Sequence, residues 1–256
     1  MIARMPSTHK EGLESRILEG PAPATASARI IDFAKTEVDE YAGYFAMVID
    51  DILTPEECAH LLSLVQPADD APWPPATVTA YNGSQMLVPD SRHCGRIIFN
   101  SATVAARLLD RIRPHIPPDV AVLDNVPDIT GQMPVIRKEK WEVSRLNEAL
   151  KFLRYEAGDY FRPHSDAHYV DRETGETSYL TAHFYLNGGD TGDMGVEGGA
   201  TRFAVKYDDA DQRKVDVDPK AGSVLIFQQR DLYHEGADVI KGTKYTMRAD
   251  VMYKKV

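Results

Sequence analysis

His164 and Asp166 lie two apart in this 256-residue chain, His234 follows far downstream, and Lys244 comes ten residues after it. Side chains two apart on a β-strand point to the same face, so His164 and Asp166 can reach one metal ion while Ser165 faces away. Two neutral imidazoles and one carboxylate on one face of an octahedron hold non-haem Fe(II) and leave positions open for a co-substrate and O₂. His234 is the candidate third ligand and must arrive from a strand distant in sequence. Lys244 is the kind of cation that the far end of a dicarboxylate co-substrate needs.

A His-x-acid triplet alone carries little weight in a chain with 8 His and 39 Asp+Glu. His9-Lys10-Glu11 is such a triplet; it sits in a polar stretch without strand pattern and reads as solvated tail. The surroundings of His164 differ. Leu153 to Tyr155 is an apolar-rich strand candidate, Ala157-Gly158-Asp159 is turn chemistry, and Tyr160-Phe161-Arg162-Pro163 leads into the motif. Gly222 to Phe227 reads as a buried strand ending shortly before Leu232-Tyr233-His234.

The run from Leu146 to Asp166 resembles the first core strand and iron motif of the prolyl 4-hydroxylase group of 2-oxoglutarate/Fe(II) dioxygenases. The segments 181–187, 198–203, 219–227 and 234–245 follow in that family's order and spacing. The resemblance covers about residues 140–256 well and the lead-in from Thr54 loosely. It implies Fe(II), 2-oxoglutarate and O₂ as cofactor and co-substrates, with ascorbate as reductant. By the same resemblance His164, Asp166 and His234 are the iron ligands, and Lys244 partners the distal 2-oxoglutarate carboxylate. Tyr155 and Tyr185 resemble tyrosines that line the co-substrate pocket, and Thr181 shares the strand face of Tyr185. Without the motif these three would read as ordinary core or barrel lining. His168 would share the face of Asp166 if the strand persists; otherwise it is a solvated rim residue.

One position departs from the family. Arg248 follows Lys244 by four, so Lys244, Thr246, Arg248 and Asp250 share one face of the last strand. A buried guanidinium needs a carboxylate. Asp250 is one candidate; the near end of 2-oxoglutarate and an acidic group on the substrate are others. The departure counts against a peptidyl-proline substrate and favours a small molecule or free amino acid. Prolyl residues of an intracellular protein are the alternative, and a non-catalytic metal-binding jelly-roll module is a remote one. A zinc hydrolase lacks its His-Glu-x-x-His here, and the usual distal anchor of a nucleic-acid demethylase is an arginine.

A net charge of −10 opposes grip on a phosphate backbone, so no nucleic-acid partner is expected. No apolar run approaches a membrane span and the N-terminus lacks a secretory core, which gives the expectation of a soluble, cytoplasmic protein without a membrane partner. Cys58 and Cys94 read as reduced thiols. The sequence assigns no oligomeric state.

These residues must be positioned by a mainly β domain with helical support. Residues 1–40 read as a mobile or loosely docked extension, and 41–256 as one domain, with a helical lead-in over 41–139 and a jelly-roll core over 140–256. Tyr44 to Ile49 reads as a strand. Thr54 caps a helix running to about Val65, with Pro55 at its first position and Glu57 placed for a capping box. Residues 67–91, with Trp73 and Tyr81, read as a long loop beside the substrate. A second helix follows Ser101; Val104, Ala105, Leu108, Leu109 and Ile112 form its apolar stripe, and Arg107, Arg111 and Arg113 read as a solvated basic face. From Trp141 onward short strands alternate with turns, a double-stranded β-helix pattern of jelly-roll kind. The glycine-rich segment 188–199 lacks the ending of a phosphate loop and the acid spacing of a Ca²⁺ loop, and reads as a flexible hairpin.

Overall fold

The computed structural model describes residues 14, 16–67, 71–79, 84–189, 195–205 and 212–256. Tyr81 lies outside them, as does the middle of the glycine-rich segment. Six strands precede the core: β1 (Ser27–Ile30), β2 (Ala46–Asp50), β3 (Arg92–His93), β4 (Gly95–Asn100), β5 (Val122–Asp124) and β6 (Lys140–Leu146). Eight more form it: β7 (Ala149–Tyr155), β8 (Tyr160–His164), β9 (Thr177–Tyr185), β10 (Thr201–Ala204), β11 (Lys214–Val217), β12 (Val224–Gln228), β13 (His234–Gly236) and β14 (Lys244–Lys255). Short ribbons pair Val78–Thr79 with Gln85–Met86, and Glu197–Gly198 with Val239–Lys241.

The larger sheet runs β1-β2-β12-β9-β14. Beyond β14 it forks. The first half of that strand pairs with β7, which pairs with β4, and the second half pairs with β6, which pairs with β5. The smaller sheet runs β11-β10-β13-β8-β3. From β7 onward the chain passes back and forth between the two sheets, with every observed pairing antiparallel, and this is a double-stranded β-helix.

Alternation along the central strands makes two chemically different faces. Ala182 and Phe184 of β9, and Met247, Ala249 and Val251 of β14, point to the apolar core beneath the helices. Between them on the sequence, Thr181, His183 and Tyr185 face Asp250, Arg248 and Thr246 across the ladder on the barrel side. Polar residues at every second position of two adjacent strands therefore line the interior.

Helix α1 (Pro55–Ser63) has the expected capping box: Glu57 N–H donates to Thr54 Oγ1 at 3.2 Å, and Thr54 N–H donates to the Glu57 carboxylate at 2.9 Å. In α2 (Ala102–Ile112), capped by Ser101, the predicted stripe is buried. The predicted basic face is solvated only in part: Arg113 is exposed and Arg107 half-buried, but Arg111 is buried. Arg111 is 5% exposed and grips Glu57 of α1 through both terminal nitrogens, at 2.6 and 2.8 Å. Arg107 donates to the Ile17 carbonyl, and Arg113 to those of Val143 and Ser144. Removing one partner of a buried pair strands the other, so Arg111→Ala should lower unfolding free energy by about 3–5 kcal/mol. Urea denaturation, compared with Arg107→Ala, measures it.

The segment expected to be mobile or loosely docked is anchored at a few points from residue 16 onward. Ile17 and Leu18 join the helix-side core, Phe33 and Val38 the barrel-side cluster, and β1 pairs with β2. Its average composition is that of a tail, but a few apolar side chains suffice to dock it. The expected helical lead-in likewise contains β4, which extends the larger sheet. Cys58 and Cys94 are free and buried. No described helix is long and apolar enough to cross a membrane.

Candidate metal and co-substrate site

His164 ends β8 and His234 begins β13, the neighbouring strand in the smaller sheet, and the two residues are register partners. Asp166 does not continue β8. The strand stops at His164, and the carboxylate reaches the same point from the segment beyond it. Strand parity therefore does not govern Asp166, yet its ligand atom and those of the two histidines lie within 4.8 Å of one another. His164 Nε2 is 3.8 Å and His234 Nε2 is 4.0 Å from the carboxylate oxygens.

Each imidazole is oriented by its own strand. His164 Nδ1 lies 2.9 Å from the Arg162 carbonyl and His234 Nδ1 lies 3.0 Å from that of Leu232. A carbonyl only accepts, so both Nδ1 atoms carry the proton and both Nε2 lone pairs face the carboxylate. Phe161 stacks on His164 at 3.6 Å, and Phe227 meets His234 edge-on at 4.6 Å. Burial, and after it the neighbouring His234, pushes the His164 pKa down to about 3; burial also lowers that of His234. Both rings are neutral at physiological pH, as metal coordination requires.

Burial works against the charge on Asp166, but Arg248, the histidines and Thr181 outweigh it and hold its carboxyl well below the usual range. Thr181 Oγ1 donates to one carboxylate oxygen at 2.6 Å, and Arg248 approaches the other at 2.9 Å. Arg248 also reaches Asp250 at 3.2 Å, and Asp250 receives Lys151 at 2.7 Å. Thr181 thus contacts the carboxylate of the triad, and Arg248 is held by two acids rather than left free for a ligand.

Lys244 is 2% exposed and has no carboxylate partner among the described residues. Its Nζ donates to the Gly199 carbonyl at 2.6 Å and lies 4.8 Å from the Tyr155 ring centre. Burial pushes its pKa down to about 8. Gly199 has φ +69°, and a Cβ there would stand 3.1 Å from Lys244 Cδ, so the close passage of the lysine depends on glycine. Lys244, Tyr155, Thr181 and the triad line one cavity of about 40 Å³. Tyr185 does not reach it; its hydroxyl donates to Thr201 at 2.7 Å, and Thr201 forms the wall.

His183 also lines this cavity, with a buried Nε2 that has no hydrogen-bond partner among the described residues. It lies within the segment 181–187, and its residue type alone assigns it no role. Its position two from Thr181 and two from Tyr185 was the signal. An outer cleft of about 440 Å³ opens over His164 and Asp166 and is walled in part by Arg92, Arg96, Thr77 and His168. His168 Nδ1 is held by the Ser178 carbonyl at 2.8 Å.

The donor set, two neutral imidazoles and one carboxylate, suits Fe(II), and a buried ammonium lacking an anion among the described residues suits a co-substrate carboxylate. Residues 150–249 match the family model described as the 2OG-Fe(II) oxygenase superfamily. No curated protein matches the chain. Among solved structures it is similar to a viral collagen prolyl hydroxylase from Paramecium bursaria Chlorella virus-1 in complex with 2OG, at 19% identity and TM-score 0.45, covering 81% of this chain and 95% of that one. It is also similar to a Pseudomonas putida prolyl-4-hydroxylase, at 15% identity and TM-score 0.47, covering 93% and 98%. A third is a Trichoplax adhaerens prolyl hydroxylase in complex with a hypoxia inducible factor peptide fragment, at 12% identity and TM-score 0.43, covering 95% and 90%. The matched span begins on β7, ends on β14 and encloses the whole triad and Lys244, so residues 150–249 are similar to the 2OG-Fe(II) oxygenase superfamily over the segment that builds the site.

Proposed function

We propose that this dioxygenase hydroxylates an unactivated C–H bond of a small molecule or free amino acid, with His164, Asp166 and His234 holding Fe(II) and Lys244 holding the distal carboxylate of 2-oxoglutarate. The observation that carries the assignment is the buried ammonium of Lys244, without a carboxylate partner among the described residues, in the same cavity as the triad. Fe(II) with 2-oxoglutarate and O₂ supplies the oxidation, in which 2-oxoglutarate is converted to succinate and CO₂ as the substrate gains a hydroxyl.

The residues of the chain bind, orient and shield. Nδ1–H bonds fix the two imidazoles with Nε2 inward, and Thr181 and Arg248 fix the carboxylate from both sides. Such outer partners hold ligand geometry and tune metal affinity. The rings of Phe161 and Phe227 cover the imidazoles and keep water from their faces. Tyr155 presents its ring to Lys244 and steadies the ammonium until an anion arrives. His183, neutral because of burial and then the nearby Lys244 charge, offers one further polar atom inside the cavity.

A second reading, hydroxylation of prolyl residues in a protein, is favoured by one feature. A groove of about 370 Å³ walled by Trp73, Pro75, Leu87 and Pro89 shares Arg92 with the outer cleft and gives room for chain on either side of a residue. The test is succinate release from 2-oxoglutarate with Fe(II) and ascorbate, run against metabolite extracts and against proline-rich peptides, with mass spectrometry of the products. Release stimulated by extract components that gain one oxygen is expected. Stimulation by peptides alone, with oxygen gained on proline, transfers the assignment to the second reading.

A further inference from the structure

We propose that the primary substrate carries an acidic group, carboxylate or phosphate, and that Arg92 and Arg96 read it in the outer cleft over the triad. The inference rests on the oxygenase reading of the site and adds the substrate's charge.

The cleft is lined by four cationic side chains, Arg92, Arg96, Lys151 and Arg248, and by two carboxylates, Asp166 and Asp250. Both carboxylates are taken, because Arg248 spans the pair and Lys151 completes Asp250. Arg92 and Arg96 have no carboxylate among the described residues. Arg92 Nε reaches Cys94 Sγ at 3.2 Å, and its guanidinium lies 4.4 Å over the Phe161 ring, the ring that stacks on His164. Arg96 is held by the Thr77 hydroxyl at 2.6 Å, the Thr77 carbonyl at 3.2 Å and the Gln85 side chain at 3.5 Å.

Neutral acceptors orient these guanidiniums without cancelling their charge. Burial, and after it the charge of Arg92, with Arg248 a smaller cause, weighs against protonation of Arg96. Guanidinium does not deprotonate in proteins, so the repulsion persists until an anion enters. Co-substrate does not remove this excess: Fe(II) and Lys244 bring three positive charges to the site and 2-oxoglutarate brings two negative ones. Two oriented, partly desolvated guanidiniums remain, a few side chains from the reacting centre, on a protein whose net charge is −10. A planar fork of this kind recognises carboxylate or phosphate. The cleft volume of about 440 Å³ is that of a small-molecule site.

The test uses the full chain loaded with Fe(II) and 2-oxoglutarate under nitrogen, titrated calorimetrically with N-acetyl-L-proline, with N-acetyl-L-prolinamide and with inorganic phosphate. The acid resembles a free amino-acid-like substrate, its amide resembles a prolyl residue within a chain, and phosphate reports the second anion source. The acid is expected to bind at least about tenfold more tightly than the amide, and Arg96→Glu to erase that ratio. Arg92→Gln should reduce it, and thermal denaturation verifies that both variants fold. An amide that binds as well as the acid, or a ratio unchanged in both variants, overturns the proposal. If neither proline compound binds, phosphate decides: binding lost in Arg96→Glu supports the proposal, and binding absent or insensitive to that change overturns it. Succinate formation on admitting O₂ separates this proposal from the reading beneath it. Oxidation of the amide alone leaves the oxygenase and removes the anion site, whereas anion binding with no succinate under any condition does the reverse.

Discussion

Asp166→Ala is expected to abolish 2-oxoglutarate turnover and to weaken Fe(II) binding by at least about a hundredfold, since loss of an outer partner of a metal ligand alone costs about ten- to a hundredfold. Asp166 is the one anionic donor in the triad, and burial keeps both histidines neutral. The two contacts it loses are unequal. Thr181 still accepts from the Gln229 amide at 3.4 Å and is uncharged, but Arg248 retains only Asp250 among the described residues. Alanine therefore also removes stability, by about 1–3 kcal/mol for the stranded charge. Asp166→Asn keeps the volume and an acceptor for Thr181 while dropping the charge, and it should lose iron with a smaller loss of stability. Competition against a chelator measures affinity, and denaturation the rest. A purified alanine variant that holds one Fe(II) as tightly as the unaltered protein rules out the triad.

Lys244→Met should act in opposite directions on function and on stability. The apparent requirement for 2-oxoglutarate is expected to rise by about a hundredfold, within the 2–5 kcal/mol that truncating one side of a desolvated charge pair costs. Co-substrate-free protein, by contrast, should become more stable, because the ammonium is buried with only a carbonyl and a ring for company. The gap between about 8 and the ordinary 10.5 corresponds to about 3 kcal/mol. The pH dependence fixes the sign. Between pH 8 and 10.5 the unfolded chain holds the Lys244 proton and the folded chain has released it, so this lysine makes stability rise with pH over that window. The methionine variant should lack that rise. Saturation curves for 2-oxoglutarate and denaturation at pH 7.5 and 10 test both halves; a variant with normal saturation and reduced stability makes Lys244 a structural residue.

The metal motif was legible because it is local: His164 and Asp166 are near in sequence, and the order of motifs located His234 and Lys244. The capping box of α1 and the stripe of α2 were equally legible. Arg111 was not, although it stands seven residues after Val104 on the buried side of the helix. Charge argued for solvent, and its partner Glu57 lies 54 residues away on another helix. Parity placed Thr181 and Arg248 on the correct faces but could not say that both would end on Asp166. That contact depends on where the chain turns after β8. Arg92 and Arg96 gave no signal at all, since their relation to His164 is created by the pairing of β3 with β8 and of β4 with β7.

The forked pairing of β14 also sets an order in time. Without residues 244–255 the larger sheet is three separate pieces: β9 keeps β12 and its neighbours, β7 keeps only β4, and β6 keeps only β5. A ribosome adds about 5–20 residues per second, so the nascent chain spends seconds with these edges unpaired. Open strand edges of that kind invite pairing with other chains, and non-local closure of this type is slow. The strand that joins the pieces also brings Lys244 and Arg248. A nascent chain that has already made the His164 and Asp166 motif therefore has neither a closed barrel nor the proposed co-substrate anchor, and on that reading competence for oxygen chemistry arrives in one late step.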